Sequence, residues 1–206
     1  MKAQATSPGR VHLGDIVPAP WRNGGGSTRE LLRWPQRPPG PRPHETGGED
    51  WALRVSVAEI DRDGPFSPYP GIERWFAVLE GAGVWLALPG GERRLIRGDA
   101  PLHFTGEQAP GCRLAQGPTR DLNLMVRRRA GVGRMELARL GEPTEPIEAS
   151  GTLWRALYAA TALRVQAGDG APEALESGTL LWSGAHEGGP WRVLDAGLAF
   201  WMSMSR

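Results

Sequence analysis

The 206-residue sequence contains one cysteine, four histidines and no long hydrophobic run. The single cysteine, Cys112, cannot form an internal disulfide, which fits a reducing compartment such as the cytoplasm. No apolar stretch approaches the roughly 18 residues that are needed to span a bilayer, and the first 15 residues lack the apolar core of a signal peptide. The sequence therefore predicts a cytoplasmic protein with no membrane partner.

Charge and histidine placement exclude two further classes. The net charge is +1, from 24 basic and 23 acidic residues, so no global electrostatic attraction to nucleic acid is expected. Metal-dependent barrels usually cluster two or three histidines with carboxylates. The histidines here are scattered and include no His-x-His pair, so we predict neither a metal site nor another cofactor. No serine lies in a G-x-S-x-G elbow, and no histidine lies near Cys112 in sequence.

High glycine and proline contents, 29 and 19 residues, favour turns and short strands over long helices. Residues 51–60 alternate apolar and polar side chains with the period of a strand. Turn residues separate six further predicted strands, so the spacing predicts an all-β barrel or sandwich. These strands are 73–79, 84–88, 93–96, 101–105, 113–115 and 121–127. The proline-rich segment 35–50 is predicted to be an exposed loop.

The second half of the chain resembles the first at nearly constant offsets of 78 to 80 residues. We interpret this spacing as two copies of one β-unit packed together, covering residues 1–133 and 134–206. The polar residues Arg74, Asp121 and Asn123 correspond to mostly apolar or small residues in the second copy. Any binding or chemistry is therefore expected in the first copy. The aligned segments are 83–88 with 161–166, 95–99 with 175–179, 112–114 with 191–193, and 122–125 with 200–203.

A run of three glycines, residues 24–26, follows Asn23 and precedes a strand-like stretch. Such runs persist where the backbone turns sharply or approaches another group closely. Strand alternation then places Thr28, Glu30 and Leu32 on one face. Polar side chains at alternate positions of a strand that enters the core suggest a site.

The other strands of the first half repeat this pattern, with polar residues on one face and apolar residues on the other. Alternation alone favours a solvated polar face, as in most antiparallel sheets. The second interpretation is a barrel interior in which Glu30 and Asp121 pair with arginines, because buried charges need partners. Arginine forks in such an interior suit a small ligand with carboxylates. The polar-face residues are Thr28 and Glu30, Arg54 and Ser56, Arg74, and Asp121 and Asn123.

Three motifs resemble the HutD/Ves family: W-R-N-G-G-G-S-T-R-E at 21–30, D-G-P-F-S at 63–67 and D-L-N-L-M at 121–125. The resemblance covers residues 11–129 closely and the remainder more loosely. It implies a metal-free, cupin-like bicupin with two packed β-barrel units, and polar faces that point inward. The family is associated with bacterial histidine utilisation or stress responses. The implied role is binding a small carboxylate metabolite, similar to N-formylglutamate or urocanate, without catalysis.

The resemblance carries a ligand-binding role onto particular positions. Arg54 and Arg74 are expected to hold carboxylates, while the Asn23 side chain and the glycine amides donate to an oxygen. The remaining residues are expected to orient the arginines, and no catalytic residue is assigned. The complete predicted set is Asn23, Gly24, Gly25, Thr28, Glu30, Arg54, Ser56, Arg74, Asp121 and Asn123.

Two other functions stay open on the sequence. One is a metal-independent enzyme, an isomerase or lyase, with Glu30 as its acid or base. The other is an interaction protein that docks a partner through the proline-rich segment. The sequence also leaves a homodimer open.

Overall fold

The computed structural model describes residues 8–35, 51–142, 151–184 and 189–206. Nearly all of the predicted segment 35–50 lies outside these ranges. Within them the regular structure is strands plus single-turn 3-10 helices, and no helix has the length and apolarity to cross a membrane. In chain order the strands are β1 (Gly9–His12), β2 (Ala19–Pro20), β3 (Gly26–Trp34), β4 (Leu53–Ile60), β5 (Gly64–Pro65), β6 (Ile72–Glu80), β7 (Val84–Leu88), β8 (Gly91–Leu95), β9 (Leu102–Thr105), β10 (Gly111–Leu114), β11 (Thr119–Arg127), β12 (Val132–Leu137), β13 (Thr152–Ala159), β14 (Leu163–Ala167), β15 (Glu173–Leu175), β16 (Thr179–Gly184), β17 (Trp191–Val193) and β18 (Ala199–Ser205).

The all-β prediction is confirmed, and each predicted strand of the first half corresponds to an observed strand, from β4 to β11. The named strands pair antiparallel in four sheets. A six-stranded sheet has the order β2-β3-β4-β11-β6-β9, and a four-stranded sheet has the order β5-β10-β7-β8. A five-stranded sheet has the order β1-β16-β13-β18-β12, and a three-stranded sheet has the order β15-β14-β17.

Three apolar clusters bind these sheets together as successive layers. The first cluster lies between the six- and five-stranded sheets and includes Val55, Leu124 and Trp154. The second joins the five- and three-stranded sheets. The third joins the six- and four-stranded sheets and includes Phe76 and Leu86. Alternate residues of the six-stranded sheet therefore enter different clusters.

This layering decides which way the polar faces point. Val55 and Leu124 face the cluster shared with the five-stranded sheet, so their neighbours Ser56 and Asn123 face the four-stranded sheet. Ser56 is 3% exposed and Asn123 is 5% exposed. The polar faces of these strands are therefore buried between sheets, and the solvated arrangement that alternation alone favours is wrong.

A bulge in β3 changes one predicted face. Glu30 lies opposite Ser56, but Leu32 lies opposite Val55, so Leu31 is the additional residue. A bulge shifts the alternation by one residue, and both leucines enter the cluster beside the five-stranded sheet. The prediction that Leu32 shares a face with Thr28 and Glu30 is wrong for this reason.

Strand pairing is similar in the two halves of the chain. In the first half β7 pairs with β8 and β10, and in the second half β14 pairs with β15 and β17. The order β4-β11-β6-β9 likewise has the counterpart β12-β18-β13-β16. The N-terminal strand β1 extends the second of these sheets by pairing with β16.

Candidate functional site

A pocket of about 470 Å³ opens on the buried polar face of the six-stranded sheet. Strands β3, β4, β6 and β11 supply its floor, and the segments around residues 19–23 and 65–69 supply its walls. We call this cavity the first pocket. It is lined by Ala19, Pro20, Trp21, Arg22, Asn23, Thr28, Arg54, Ser56, Ala58, Ile60, Pro65, Phe66, Ser67, Tyr69, Arg74, Phe76, Asn123 and Met125.

Strand register brings five of the predicted residues to this pocket, and the turn before β3 adds Asn23. Ser56 lies opposite Asn123, and Arg54 and Arg74 both lie opposite Met125, one from each neighbouring strand. Because side chains in one cross-strand row share a face, the two arginines project from the same side of the sheet. The predicted residues that line the pocket are Asn23, Thr28, Arg54, Ser56, Arg74 and Asn123.

Arg74 is 6% exposed and lacks a strong partner. Its Nη2 donates to Asn123 Oδ1 at 3.4 Å and its Nη1 to Ser67 O at 3.5 Å, near or beyond the limit of an ordinary hydrogen bond. Its Nε is buried without a hydrogen-bond partner, and no carboxylate of the described chain forms an ion pair with it. Burial lowers the pKa of Arg74 to about 10, with Tyr69 opposing the shift.

Aromatic rings take the place of an acid around this guanidinium. The Arg74 Cζ lies 5.1 Å from the ring centroids of Phe66 and Phe104 and 5.5 Å from that of Tyr69. Such contacts stabilise a cation through the ring quadrupole but do not neutralise its charge. The first pocket thus contains a buried positive charge with unused hydrogen-bond donors.

Arg54 has a different environment, because an acid is close to it. Its Nε lies 3.1 Å from Glu30 Oε2, an ion-pair contact without hydrogen-bond geometry. The Nε of Arg33 donates to Glu30 Oε1 at 2.6 Å. Both oxygens of Glu30 therefore contact arginines, and Glu30 is not part of the pocket wall. The predicted pairing of Glu30 with Arg54 is present, and the two cations around one acid leave a net positive charge.

Asp121 does not pair with Arg74, contrary to the predicted charge pairing. It lies in the row of Ala58 and Val78, four residues along β11 from the row of the arginines, which corresponds to roughly 13 Å. Asp121 is fully buried; its Oδ2 accepts from Thr119 Oγ1 at 2.8 Å and its Oδ1 has no partner. Burial raises the pKa of Asp121 to about 8, although the Thr119 hydrogen bond opposes the shift.

The glycine amides that were expected to contact a ligand are used inside the loop. Gly24 N–H donates to Trp21 O at 3.0 Å, and Gly25 N–H donates to Asn23 Oδ1 at 3.0 Å. Neither glycine lines the pocket. Gly24 has a φ of 66°, and a Cβ on Gly26 would lie 2.1 Å from the Glu59 carbonyl oxygen. The run is therefore needed for a tight turn and a close strand approach.

This turn holds an indole over the pocket. Trp21 N–H donates to Gly26 O at 2.9 Å, and Trp21 Nε1 donates to Thr28 Oγ1 at 2.8 Å. Thr28 therefore positions Trp21. The aromatic wall formed by Trp21, Phe66, Tyr69 and Phe76 was not among the predicted site residues. Trp21 and Phe66 lie within the 21–30 and 63–67 motifs, which is their signal in the sequence, whereas Tyr69 and Phe76 lie outside these motifs.

The donor set of the first pocket does not fit a divalent metal. Its wall contains no histidine, cysteine, aspartate or glutamate. Across the described ranges, no group of three such residues could hold a metal ion. Arginine, amide and hydroxyl groups instead suit an anionic organic ligand.

Comparison with known proteins agrees with the three motifs. The HutD family model matches residues 14–199. The chain belongs to the HutD family. HutD from Pseudomonas fluorescens SBW25 superposes with a TM-score of 0.78 at 27% identity, covering 97% of this chain and 100% of that one. The salicylate 1,2-dioxygenase of Pseudoaminobacter salicylatoxidans, at 12% identity and a TM-score of 0.55 over 98% of this chain and 83% of that one, shares the cupin-like fold alone.

Two curated relatives match part of this family member. An uncharacterised 21.2 kDa protein in the hutC 3' region of Pseudomonas putida is 34% identical over 111 residues, 54% of each chain. Protein Ves of Citrobacter koseri is 36% identical over 109 residues, 52% of each chain. The matched region spans about half the length of these relatives.

Proposed function

We propose that this HutD-family protein binds a small carboxylate metabolite in the first pocket. The observation that carries the proposal is Arg74, a buried guanidinium in a ligand-sized cavity with no acid of the described chain beside it. A buried charge without a counter-charge is costly, and an incoming carboxylate supplies that counter-charge. The same carboxylate accepts the hydrogen bonds that Arg74 now makes only weakly.

The surrounding wall defines the rest of the ligand. Arg54 lies two strands from Arg74 and offers a second positive group for a polar or anionic end. Ser56 and Asn123 lie in the adjacent row of the sheet and provide neutral hydrogen-bonding groups. Trp21, Phe66 and Phe76 provide flat apolar surface for a short carbon skeleton. An acid of the size of N-formylglutamate or urocanate fits this combination, and the family association with histidine utilisation favours that choice.

We place binding before catalysis because the pocket wall contains no carboxylate, histidine or cysteine. Both oxygens of Glu30 contact arginines, and Asp121 lies away from the wall. Retention of a pathway acid would modulate flux through histidine utilisation without a chemical step. The alternative is a metal-independent isomerase or lyase in which Glu30 exchanges its arginine contacts for a proton of the substrate.

We further propose that the two halves are cupin-like units of one bicupin, residues 1–133 and 134–206. The similar strand pairings of the halves support this division, with β1 contributing to the sheet of the second unit. Arg74, Asp121 and Asn123 belong to the first unit, which agrees with a single ligand-binding unit.

The test compares Arg74→Gln with Arg113→Gln, an exposed arginine paired with Glu92 outside the first pocket. Thermal unfolding and calorimetry are followed with N-formylglutamate and with urocanate. At least one acid should stabilise the wild type and Arg113→Gln, and Arg74→Gln should lose that stabilisation while remaining folded. Mass spectrometry of the same mixtures should find the acid unchanged. An equal thermal shift in Arg74→Gln would contradict the binding site, and product formation would favour the enzyme.

A further inference from the structure

A second cavity, of about 490 Å³, lies on the opposite face of the six-stranded sheet. Its wall includes the segment 12–18 and Arg29, whose neighbour Thr28 lines the first pocket. Arg120, Glu80 and Tyr158 lie in the wall where the six- and five-stranded sheets meet, and Ser177 is a further polar residue of the lining. We call this cavity the second pocket, and the function proposed above does not use it.

Tyr158 is a largely buried residue whose hydroxyl opens on the second pocket. Its side chain lines the second pocket although the residue is only 2% exposed. Within the described chain its hydroxyl makes no hydrogen bond. Burial raises the pKa of Tyr158, opposed by the charge of Arg120 and assisted by that of Glu80. The phenol therefore stays protonated and can donate.

The two arginines that line the second pocket with Tyr158 share one acceptor and have a hydrogen-bond donor without a partner. Arg29 Nη1 and Arg120 Nη2 donate to the same oxygen, Glu59 Oε1, at 2.6 and 3.0 Å. The Nε of Arg120 is buried without a hydrogen-bond partner. One carboxylate oxygen thus serves two guanidinium groups.

The second acid near Arg120 is replaceable. Glu80 Oε1 accepts from Arg120 Nη1 at 2.8 Å, but the Glu80 side chain is 62% exposed. Exposed ion pairs of this kind are weak, because water and salt compete with them. An anion that enters the pocket can therefore take the place of Glu80 on Arg120.

We propose that the second pocket binds a small oxyanion, a carboxylate or a phosphate, through Arg120 and the Tyr158 hydroxyl. The unpartnered groups of the inner wall, Arg120 Nε and the Tyr158 hydroxyl, are donors, and an oxyanion supplies acceptors for them. The acid Asp15 belongs to the exposed part of the wall. Glu80 rotates into solvent when the anion binds. Arg29 remains on Glu59 and holds the segment 12–18 through its hydrogen bond to Ile16 O at 3.2 Å.

The chain offers a direct test because it has two tyrosines, Tyr69 in the first pocket and Tyr158 in the second. Protein labelled with 3-fluorotyrosine should give two fluorine NMR signals, assigned with Tyr69→Phe and Tyr158→Phe. The labelled protein is titrated separately with sodium phosphate and with sodium malonate, and with sodium chloride at matched ionic strength. The proposal expects a saturable shift of the Tyr158 signal with phosphate or malonate and none with chloride. The anion that shifts the Tyr158 signal, phosphate or malonate, identifies the class of oxyanion that the pocket binds.

Variants separate a site from a general salt effect. Arg120→Gln should weaken the Tyr158 response about tenfold or more, the loss expected for a charged hydrogen bond, while Arg113→Gln should leave it unchanged. Glu80→Gln should strengthen it about two- to fivefold by removing a weak competitor, a gain that misfolding cannot produce. A Tyr158 signal that does not move, that follows chloride equally, or that ignores Glu80→Gln would overturn the proposal. The Tyr69 signal reports the first pocket independently, so failure at one site does not decide the other.

Discussion

Arg54 and Arg74 lie on either side of Met125 in one cross-strand row of the six-stranded sheet. Two strand spacings separate their backbones by roughly 10 Å. One guanidinium lies 3.1 Å from the carboxylate of Glu30, whereas the other is held by aromatic rings and two long hydrogen bonds. This asymmetry makes Arg74 the group with most to gain from an incoming carboxylate.

Replacing Arg74 with methionine should stabilise the unliganded protein. The substitution removes a buried charge that lacks a counter-charge and keeps most of the side-chain volume, so we expect a gain of about 1–3 kcal/mol in the free energy of unfolding. Urea denaturation without ligand measures it. Arg113→Met, at an exposed position, should change stability by less than about 0.5 kcal/mol. Clear destabilisation by Arg74→Met would show that the fold itself needs this charge.

Glu30→Gln distinguishes binding from catalysis. The change removes the negative charge beside Arg54, so affinity for an anionic ligand should rise by a few-fold, as expected for a partly exposed ion pair. Calorimetry at two salt concentrations measures the gain, which should diminish at high salt. If Glu30 is instead an acid or base, turnover of a candidate acid will be present in the wild type and absent in the variant.

Asp121 should make stability depend on pH in the direction opposite to that of a salt-bridged aspartate. Its folded pKa of about 8 lies above its ordinary value of 3.8, so the folded state binds the proton more strongly. The contribution of protonated Asp121 to the free energy of unfolding is fully present below the unfolded pKa. It falls as pH rises towards 8, by up to about 1.4 kcal/mol per pH unit. Asp121→Asn should remove this slope in denaturation measured from pH 4 to 9. Identical slopes in the two proteins would mean that Asp121 is ionised when folded.

Alanine substitutions in the glycine run should lower the free energy of unfolding by amounts that differ between positions. A Cβ on Gly26 meets the Glu59 carbonyl, so Gly26→Ala should cost about 2 kcal/mol or more. Gly24 has open space around its Cβ position but a positive φ, so Gly24→Ala should cost about 1 kcal/mol. Gly90→Ala, with neither constraint, is the control. Chemical denaturation of the three variants gives the ranking, and an equal effect at all three positions would contradict the account of the turn.

Periodicity predicted the β-strands well because alternation is a local property of the chain. Alternation alone is sufficient to predict the strands at residues 53–60 and 119–127. The direction of the polar faces did not follow from it, because either face of a sheet can be covered. Burial of that face depends on the four-stranded sheet, whose strands lie within residues 64–114 and cover the face only in the folded chain.

The site was predicted in part, and the errors have geometric causes. Arg54, Arg74, Ser56 and Asn123 reach the pocket because cross-strand register gathers them. Asp121 shares their face but lies too far along β11. A bulge, which sequence alternation cannot reveal, redirects Leu32 into the core. The amides of Gly24 and Gly25 donate to Trp21 O and Asn23 Oδ1 within the turn, and strand alternation does not reveal these hydrogen bonds.

A crystal structure of the wild-type protein with N-formylglutamate or urocanate tests the central claim most directly. The account predicts a carboxylate within about 3 Å of the Arg74 guanidinium nitrogens, with the carbon skeleton against Trp21 and Phe66. A bound acid whose carboxylates contact other residues and leave Arg74 with its present weak partners would contradict it.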